Sequence, residues 1–554
     1  MRYRQGVPGI VGVVVSIVVL AGVAPPPVRG HGMVAADQVL ASAAGATVLE
    51  RGGNAVDAVV AAALAAGVVQ PSASGLGGGG FALVGRSGPK DAVVLDFREV
   101  APRGASRDMF KRADGSVIDR VGGIAVAVPA EARGLWELHE RYGRLPAAEV
   151  ARPAIALATD GFAVGSFLAG MLGRTSKTEV LALFSFDGRV ATEGEVVRRQ
   201  ALGKTIARWV KSKGDVVNEG EGAAQVAAAI AETGGIVDAV DLHAYHPVDR
   251  TPIVGQYRGY TVVTMPPPSS GGLALVEMLG VLEGYDVKSL GHSSADHLHL
   301  LAEVMKHAYA DRAHHLGDPD FVTVPVERLL SPERRLDIQR AIWPGRTFAP
   351  DYYGSLIAPV EDHGTEHISV LDEDGMAVAL TTTINTTFGS GVVVEPLGII
   401  LNDQMDDFAV APGVPNAYGL VGSEANAVAA GKRPLSSMTP TILYGPDGKV
   451  VMVVGASGGS QIISAVLQVV SNVVDFGMDA SEAVSAPRLH AQWQPDGVLL
   501  DPGIPKEVIA GLEARGHKVT VQENASCSQV IVDVGGVRQG ASDPRKGGAP
   551  VGVW

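Results

Sequence analysis

Gly364-Thr365-Glu366-His367-Ile368-Ser369-Val370-Leu371, followed by a turn at Asp374-Gly375 and the run Ala377-Val378-Ala379-Leu380-Thr381-Thr382-Thr383, is the stretch on which the fold turns. An apolar strand starts directly after a glycine and a threonine, reverses, and returns as a second strand. A threonine hydroxyl is a weak nucleophile unless a base stands beside it. Breaking the Gly364–Thr365 bond frees the α-amino group of Thr365 to be that base within the same residue. An α-amino group titrates at ~7.7–8.0, close to the pH at which an efficient general base operates. One cleavage thus creates the nucleophile and activates it. The hairpin carries Thr383 back beside Thr365, and the side-chain period of two puts Asn385 on the same face as Thr383. Taken alone, the threonine-rich run is equally an ordinary strand with one wet face, because Thr is a good strand former.

Outward from this hairpin the pattern is one of layers. Ala-rich helices are expected over 38–49 and 55–69, the second apolar on nearly all sides and therefore deeply buried. A glycine cluster at 74–80 leads into strands at 81–84 and 91–97. Glycines that precede a strand stand in the wrong order for a dinucleotide fingerprint. Residues 160–250 read as a polar, peripheral helical lobe, 294–314 as a long helix and 325–360 as an irregular charged linker. After Thr365 strands dominate, with a helix over 461–476. That order favours stacked helix and sheet layers in an α+β arrangement over repeated βαβ crossovers.

The chain has 554 residues, 46% hydrophobic and 19% charged, with a formal net charge of −14. No basic stripe exists to neutralise phosphates, which argues against a nucleic-acid partner. Arg2 and Arg4 precede an apolar run from Ile10 to Ala24 that ends at Pro25-Pro26-Pro27. This is the pattern of an export signal ending near residue 30, which places the mature protein in the periplasm or outside the cell. An uncleaved N-terminal anchor is the minor alternative, since the run is short for a membrane span. The single cysteine, Cys527, excludes an intramolecular disulfide and reads as a small buried apolar residue.

Several further groups carry chemistry. Gln404 and Asp407, in the acidic loop Asn402–Phe408, offer oriented acceptors for an ammonium ion. Arg98, at a strand end, can clamp a carboxylate with two prongs. Ser436 and Ser437 are paired hydroxyl donors. Gly455 to Ser460 lies between a strand and a helix, and its backbone N–H groups suit an oxyanion. The same segment matches the serine nucleophile elbow, with Ser457 as nucleophile and Asp475 or Asp479 and His490 or His517 as partners. His299, Glu303 and His307 share one helix face at zinc-binding spacing, with a structural face as the default.

In order along the chain, NAVDAVVA (54–61), DFREVAPRGASRDMF (96–110), MPPPSSGG (265–272), AYADRAHHLGDPDF (308–321), the hairpin to Gly391, NDQMDDF (402–408), KRPLSSMTPTI (432–442) and GASDPR (540–545) resemble the γ-glutamyltransferase (glutathione hydrolase) family of N-terminal-nucleophile hydrolases. The resemblance covers nearly everything after the N-terminal apolar run. It implies a four-layer αββα sandwich, self-cleaved into two interleaved subunits, 31–364 and 365–554. It implies Thr365 as the nucleophile exposed after Gly364, with Thr383 hydrogen-bonded to it. Asn385, Gln404 and Asp407 would hold the substrate α-ammonium, and Arg98, Ser436 and Ser437 its α-carboxylate. Gly458 and Gly459 would supply the oxyanion donors, and Tyr418 the tip of a lid loop. The implied substrates are glutathione and other γ-glutamyl compounds, with water, amino acids or dipeptides as acceptors, and no cofactor or metal. The chain departs from the family pattern at Gly364, Glu366, Ser457 and its last nine residues, KGGAPVGVW. Alternatives are an acylase of the cephalosporin type, a polyglutamate-processing relative, or an uncleaved, non-catalytic binding protein.

Overall fold

The computed structural model describes residues 24–112, 114, 117–354, 364–409, 423–523 and 526–554. Most of the expected export signal and Tyr418 lie outside these residues. The strand Glu366–Leu371 pairs antiparallel with Ala377–Thr383, in register from Glu366 opposite Thr382 to Leu371 opposite Ala377. Gly375 supplies the left-handed turn residue at φ +87°. Asp372 locks the turn, accepting from the Met376 and Ala55 N–H groups at 2.9 Å each. The second of these bonds ties the hairpin to the start of helix Ala55–Val69.

This hairpin is central in a seven-stranded antiparallel sheet of order 551–553, 32–36, 366–371, 377–383, 79–85, 93–97 and 248–250. A second seven-stranded antiparallel sheet runs 28–30, 537–542, 527–534, 450–457, 441–444, 260–264 and 253–257. Both sheets mix strands from before and after residue 364, so the two halves of the chain share one fold. The edge strand Val28–Gly30 pairs with Val537–Ser542, so a cut near Ala24 would leave it whole and one near Gly30 would remove it.

Strand alternation sorts the hairpin into two faces. Ile368 and Val370 face helices Val39–Glu50 and Ala55–Val69, the latter buried at every position. His367 and Ser369 face the second sheet, where the Ser369 hydroxyl donates to the Gln529 carbonyl at 3.3 Å. Helices Gly271–Leu282, Ala295–His315 and Gln461–Val474 cover the far side of the second sheet. The order of layers is helix, sheet, sheet, helix, as expected. Among the described residues no helix is long and apolar enough to cross a membrane.

Two expectations need correction. The 160–250 segment is no peripheral lobe: Trp209, Ile206, Val226 and Ile230 are buried in the same core as the hairpin and helix Ala55–Val69. Its polar composition concealed the apolar stripe of helix Gln200–Lys211, whose Trp209 donates to the Ala132 carbonyl at 2.7 Å. The charged stretch after Pro325 also contains a helix, Pro332–Ala341. Ser331 caps it by accepting from the Arg334 N–H at 3.1 Å, and Pro332 fits the first helical turn.

His367 is packed between the sheets, with Nδ1 2.8 Å from Thr381 Oγ1 and Nε2 3.1 Å from Ser369 Oγ. Burial pushes it down to about 3, so the imidazole is neutral. A Cβ on Gly455 would fall on the His367 ring, which explains a glycine there. Gly455→Ala should therefore lower stability by ~1–3 kcal/mol, the range for overpacking a core, as read from urea midpoints. Beneath the hairpin, Ser74 Oγ lies 2.6 Å from Thr382 Oγ1 and 3.4 Å from Glu131 Oε2. Burial pushes the Glu131 carboxyl up from 4.5 to about 8, so it is protonated at neutral pH. A carboxyl raised on folding binds its proton more tightly in the native state, so stability falls as pH climbs through that window. Between pH 5 and 8 the Glu131→Gln variant should lose less Tm than the parent, with the two closest at the acid end.

Candidate active site

Thr365 lies just ahead of the Glu366–Leu371 strand, at the floor of a cavity with an empty volume of about 300 Å³. Arg98, Thr365, Thr383, Asn385, Gln404, Asp407, Ser436, Ser437 and Gly459 line it, with Leu435, Met438 and Ile462. Residues from six separate segments converge here because strand ends and strand–helix turns meet at one edge of the sandwich. Gly458 is next to the lining, in the strand-to-helix turn where Gly458 and Gly459 take φ +121° and +58°.

At the floor, Thr365 Oγ1 donates to the Gly364 carbonyl at 2.8 Å and lies 3.4 Å from Thr383 Oγ1. Thr383 Oγ1 donates to the same carbonyl at 2.7 Å and accepts from the Asn385 N–H at 2.8 Å. A Cβ at position 364 would stand 2.5 Å from the Asn385 carbonyl oxygen and 2.7 Å from the Thr386 carbonyl carbon. Only glycine fits, which accounts for one departure from the family pattern. Asn385 itself sits at φ +74°, a conformation that Asn tolerates better than most residues. Its Nδ2 donates to the Asp403 carbonyl at 3.1 Å.

One wall is acidic. Gln404–Asp407 form a single 3₁₀ turn in which Gln404 Nε2 donates to Asp407 Oδ2 at 2.7 Å. Asn402 fixes the turn by accepting from the Gln404 and Ala127 N–H groups at 3.0 Å each. Gln404 Oε1 is buried and has no donor among the described residues. A buried acceptor without a partner carries a desolvation cost that a bound N–H group would relieve.

The basic wall is Arg98, which is 1% exposed. Its Nε donates to the Pro434 carbonyl at 3.2 Å and its Nη2 pairs with Asp407 Oδ2. The acidic and basic walls are in direct contact, and the two buried opposite charges satisfy each other, since either alone would be costly. Glu99 also approaches the guanidinium, at 3.7 Å. Burial pushes Glu99 up to about 8, with Arg98 opposing, so Glu99 is largely protonated at neutral pH. Burial also raises Asp407, with Arg98 opposing.

Beside Arg98, the Ser436 carbonyl accepts from the Ser270 N–H at 2.8 Å and hydroxyl at 2.7 Å, while Ser436 Oγ accepts from the Met438 N–H at 3.1 Å. Arg312, overlooked in the sequence, is buried behind this loop. It donates to Ser270 Oγ at 2.9 Å and reaches Ser437 Oγ at 3.5 Å. Burial lowers it to about 10, so it keeps its charge at neutral pH. Its only signal was a charge inside an otherwise apolar helix face.

The serine-elbow reading fails on geometry. Ser457 is fully buried, and its hydroxyl donates to Asp37 Oδ2 at 2.5 Å. His490 is bonded to Ser464 and Gln492, His517 to His299, and Asp475 to Tyr257 and Ser471. Asp479 caps the helix Ala480–Ser485. The zinc-spaced trio also rearranges: His517, rather than His307, joins His299 and Glu303. His299 Nδ1 and His517 Nε2 share a hydrogen bond at 2.8 Å, and Lys306 Nζ donates to Glu303 Oε1 at 3.2 Å. Glu366 points to the face opposite Thr365, where its Oε1 accepts from the Asp37 N–H at 3.1 Å.

Comparison with known proteins places this geometry. The family model described as Gamma-glutamyltranspeptidase matches residues 41–553. The chain is 44% identical over 494 residues to a glutathione hydrolase proenzyme of Escherichia coli (strain K12), covering 86% of this chain and 84% of that protein. Among solved structures, a cephalosporin acylase from Bacillus halodurans superposes with a TM-score of 0.83 at 29% identity, over 97% of this chain and 99% of that one. A gamma-glutamyltranspeptidase of Helicobacter pylori superposes with a TM-score of 0.54 at 35% identity, over 57% of this chain and 93% of that one.

Because Arg98 and Asp407 are mutual counterions, removing one strands the other. Arg98→Ala should cost ~3–5 kcal/mol of stability. Adding Asp407→Asn to that variant should return part of the loss, a non-additivity that urea denaturation of the two single variants and the double will measure.

Proposed function

Because this chain belongs to the gamma-glutamyltranspeptidase family, we propose that Thr365 carries a γ-glutamyl group as an ester and passes it to water or to an amine. The enzyme is a γ-glutamyl hydrolase/transferase; the roles of its residues are the proposal. Self-processing comes first. Thr365 Oγ1 adds to the Gly364 carbonyl carbon, the C–N bond breaks as the C–O bond forms, and the hydroxyl proton passes to the new α-amine. Water then hydrolyses the ester and frees Gly364 as a chain end. The Thr383 hydroxyl, 2.7 Å from the Gly364 oxygen, is placed to donate to the charge that develops there. The products are a large subunit ending at Gly364 and a small one, 365–554. The word "proenzyme" in the name of the Escherichia coli relative supports processing.

In turnover, the zwitterionic head of the substrate enters between Arg98 and Asp407 and takes over both halves of their ion pair. Its ammonium donates to Gln404 Oε1, Asp407 and Asn385. Its carboxylate accepts from Arg98, Ser437 and Ser436. The γ-carbonyl then lies above Thr365, whose own α-amine takes the hydroxyl proton during attack and returns it to the departing amine. The Gly459 and Gly458 N–H groups face the oxyanion. The observation that carries this reading is the donorless Gln404 Oε1 beside the Arg98–Asp407 pair, in the same cavity as Thr365. A free α-carboxylate has a partner here, which favours γ-glutamyl substrates, glutathione included, over those of the acylase that shares the fold. The Arg2/Arg4 and Ile10–Ala24 pattern supports export to the periplasm or beyond.

Thr365→Ala should remain a single band on a denaturing gel and release no chromophore from a γ-glutamyl anilide. Normal processing of that variant would overturn the assignment. With the parent enzyme, added glycylglycine should speed chromophore release to the extent that transfer competes with hydrolysis.

A further inference from the structure

The last turn of the chain reaches back to the nucleophile. Lys546 ends the 3₁₀ turn Pro544–Lys546, which Asp543 caps and in which Arg545 pairs with Asp543 and Asp501. Its buried ammonium meets three oxygens: the Thr365 carbonyl at 2.8 Å, Asp37 Oδ2 at 2.9 Å and Ser457 Oγ at 2.7 Å. Three acceptors satisfy the three N–H bonds of an ammonium. Asp37 is itself held, accepting from Ser457 Oγ at 2.5 Å and Gln529 Nε2 at 2.6 Å. Burial opposes the Lys546 charge most, but Asp37, Glu366 and its other neighbours together outweigh it and the net direction is upward.

The Thr365 carbonyl needs such an anchor. Ladder pairing of its strand begins one residue later, with Glu366 opposite Thr382. Once the Gly364–Thr365 bond is cut, nothing covalent holds Thr365 on its N-terminal side. The aim of both its amine and its hydroxyl then depends on rotation about its own Cα–C bond, and so on where its carbonyl points.

We propose that Lys546 is a positioning residue for the nucleophile: by gripping the Thr365 carbonyl against Asp37 and Ser457, it sets the direction of the Thr365 amine and hydroxyl before and after cleavage. The inference rests on the reading of Thr365 as the nucleophile. Asp37 precedes the cleavage point and Lys546 follows it, so the same contact clamps one subunit onto the other at the reacting residue. The groups proposed to bind the substrate head are not among the hydrogen-bond partners of Lys546, and Lys546 does not line the cavity.

The test is Lys546→Met and Lys546→Arg in the full chain, with processing followed on gels and steady-state kinetics on a γ-glutamyl anilide. A displaced reacting group of about 1 Å costs on the order of 10²-fold. Lys546→Met should therefore process slowly and, once cut, lose kcat on that scale with KM nearly unchanged. Lys546→Arg, which keeps the charge and the donors, should recover part of both. A folded Lys546→Met enzyme with parental kcat, or with the loss in KM alone, overturns the proposal. If Lys546→Met fails to fold through its stranded Asp37, the pair Asp37→Asn/Lys546→Met leaves no unpaired charge. That variant should fold and still lose kcat; parental kcat, or failure to fold here too, reduces Lys546 to a core ion pair. Thr365→Ala separates the two readings. Activity in Thr365→Ala sinks the nucleophile assignment itself, whereas an inert Thr365→Ala beside a fully active Lys546→Met sinks only the role of Lys546.

Discussion

The antiparallel pairing of Glu366–Leu371 with Ala377–Thr383 is the contact on which the rest depends. Every residue of both strands is buried, one face against helices and the other against a second sheet. A residue at the end of such a strand has almost no freedom of its own. Thr365 inherits that rigidity, and Thr383, at the end of the partner strand, shares with it the Gly364 carbonyl. On the proposed reading, a weak nucleophile is made usable by geometry paid for in the core, far from the cavity. Gly364 and Gly455 show how little slack there is, since a single methyl group at either would meet backbone or an imidazole ring.

The second constraint is charge. Arg98, Asp407 and Glu99 are all buried around one small cavity. An arrangement of this kind is tolerable because Arg98 and Asp407 neutralise each other and Glu99 is held protonated. It also sets a specificity rule. A ligand that brings only one charge leaves a buried partner exposed to low dielectric, whereas a zwitterion replaces both halves of the pair. On the proposed reading, recognition of an amino-acid head rests on this buried pair, and uncharged acyl groups forfeit the exchange.

Much of this was legible in the sequence. The hairpin followed from an Asp-Gly turn between apolar runs, but Asn385, expected on the strand face of Thr383 by the period of two, lies past the strand end at φ +74° and reaches the cavity from there. Stacked helix and sheet layers followed from the order of elements around Thr365, and their αββα order from the family resemblance. Less was legible where distant segments meet. The contact of Arg98 with Asp407 spans 309 positions, and nothing local announces it. Lys546 reaches Thr365 across 181 positions from a tail that read only as glycine-rich. Arg312 hid in a buried helix face, and the polar composition of 160–250 masked an apolar stripe. Motifs marked which residues matter; their pairings came from packing.

The claim at the centre is that the chain breaks itself to make its own base. Intact-mass spectrometry of fully active parent enzyme, acid-quenched during turnover of a γ-glutamyl substrate, addresses it most directly. The account predicts a small subunit whose first residue is Thr365, with a fraction carrying one γ-glutamyl group on that residue. Active protein in which the Gly364–Thr365 bond is whole, or in which the acyl group sits on any other side chain, would contradict it.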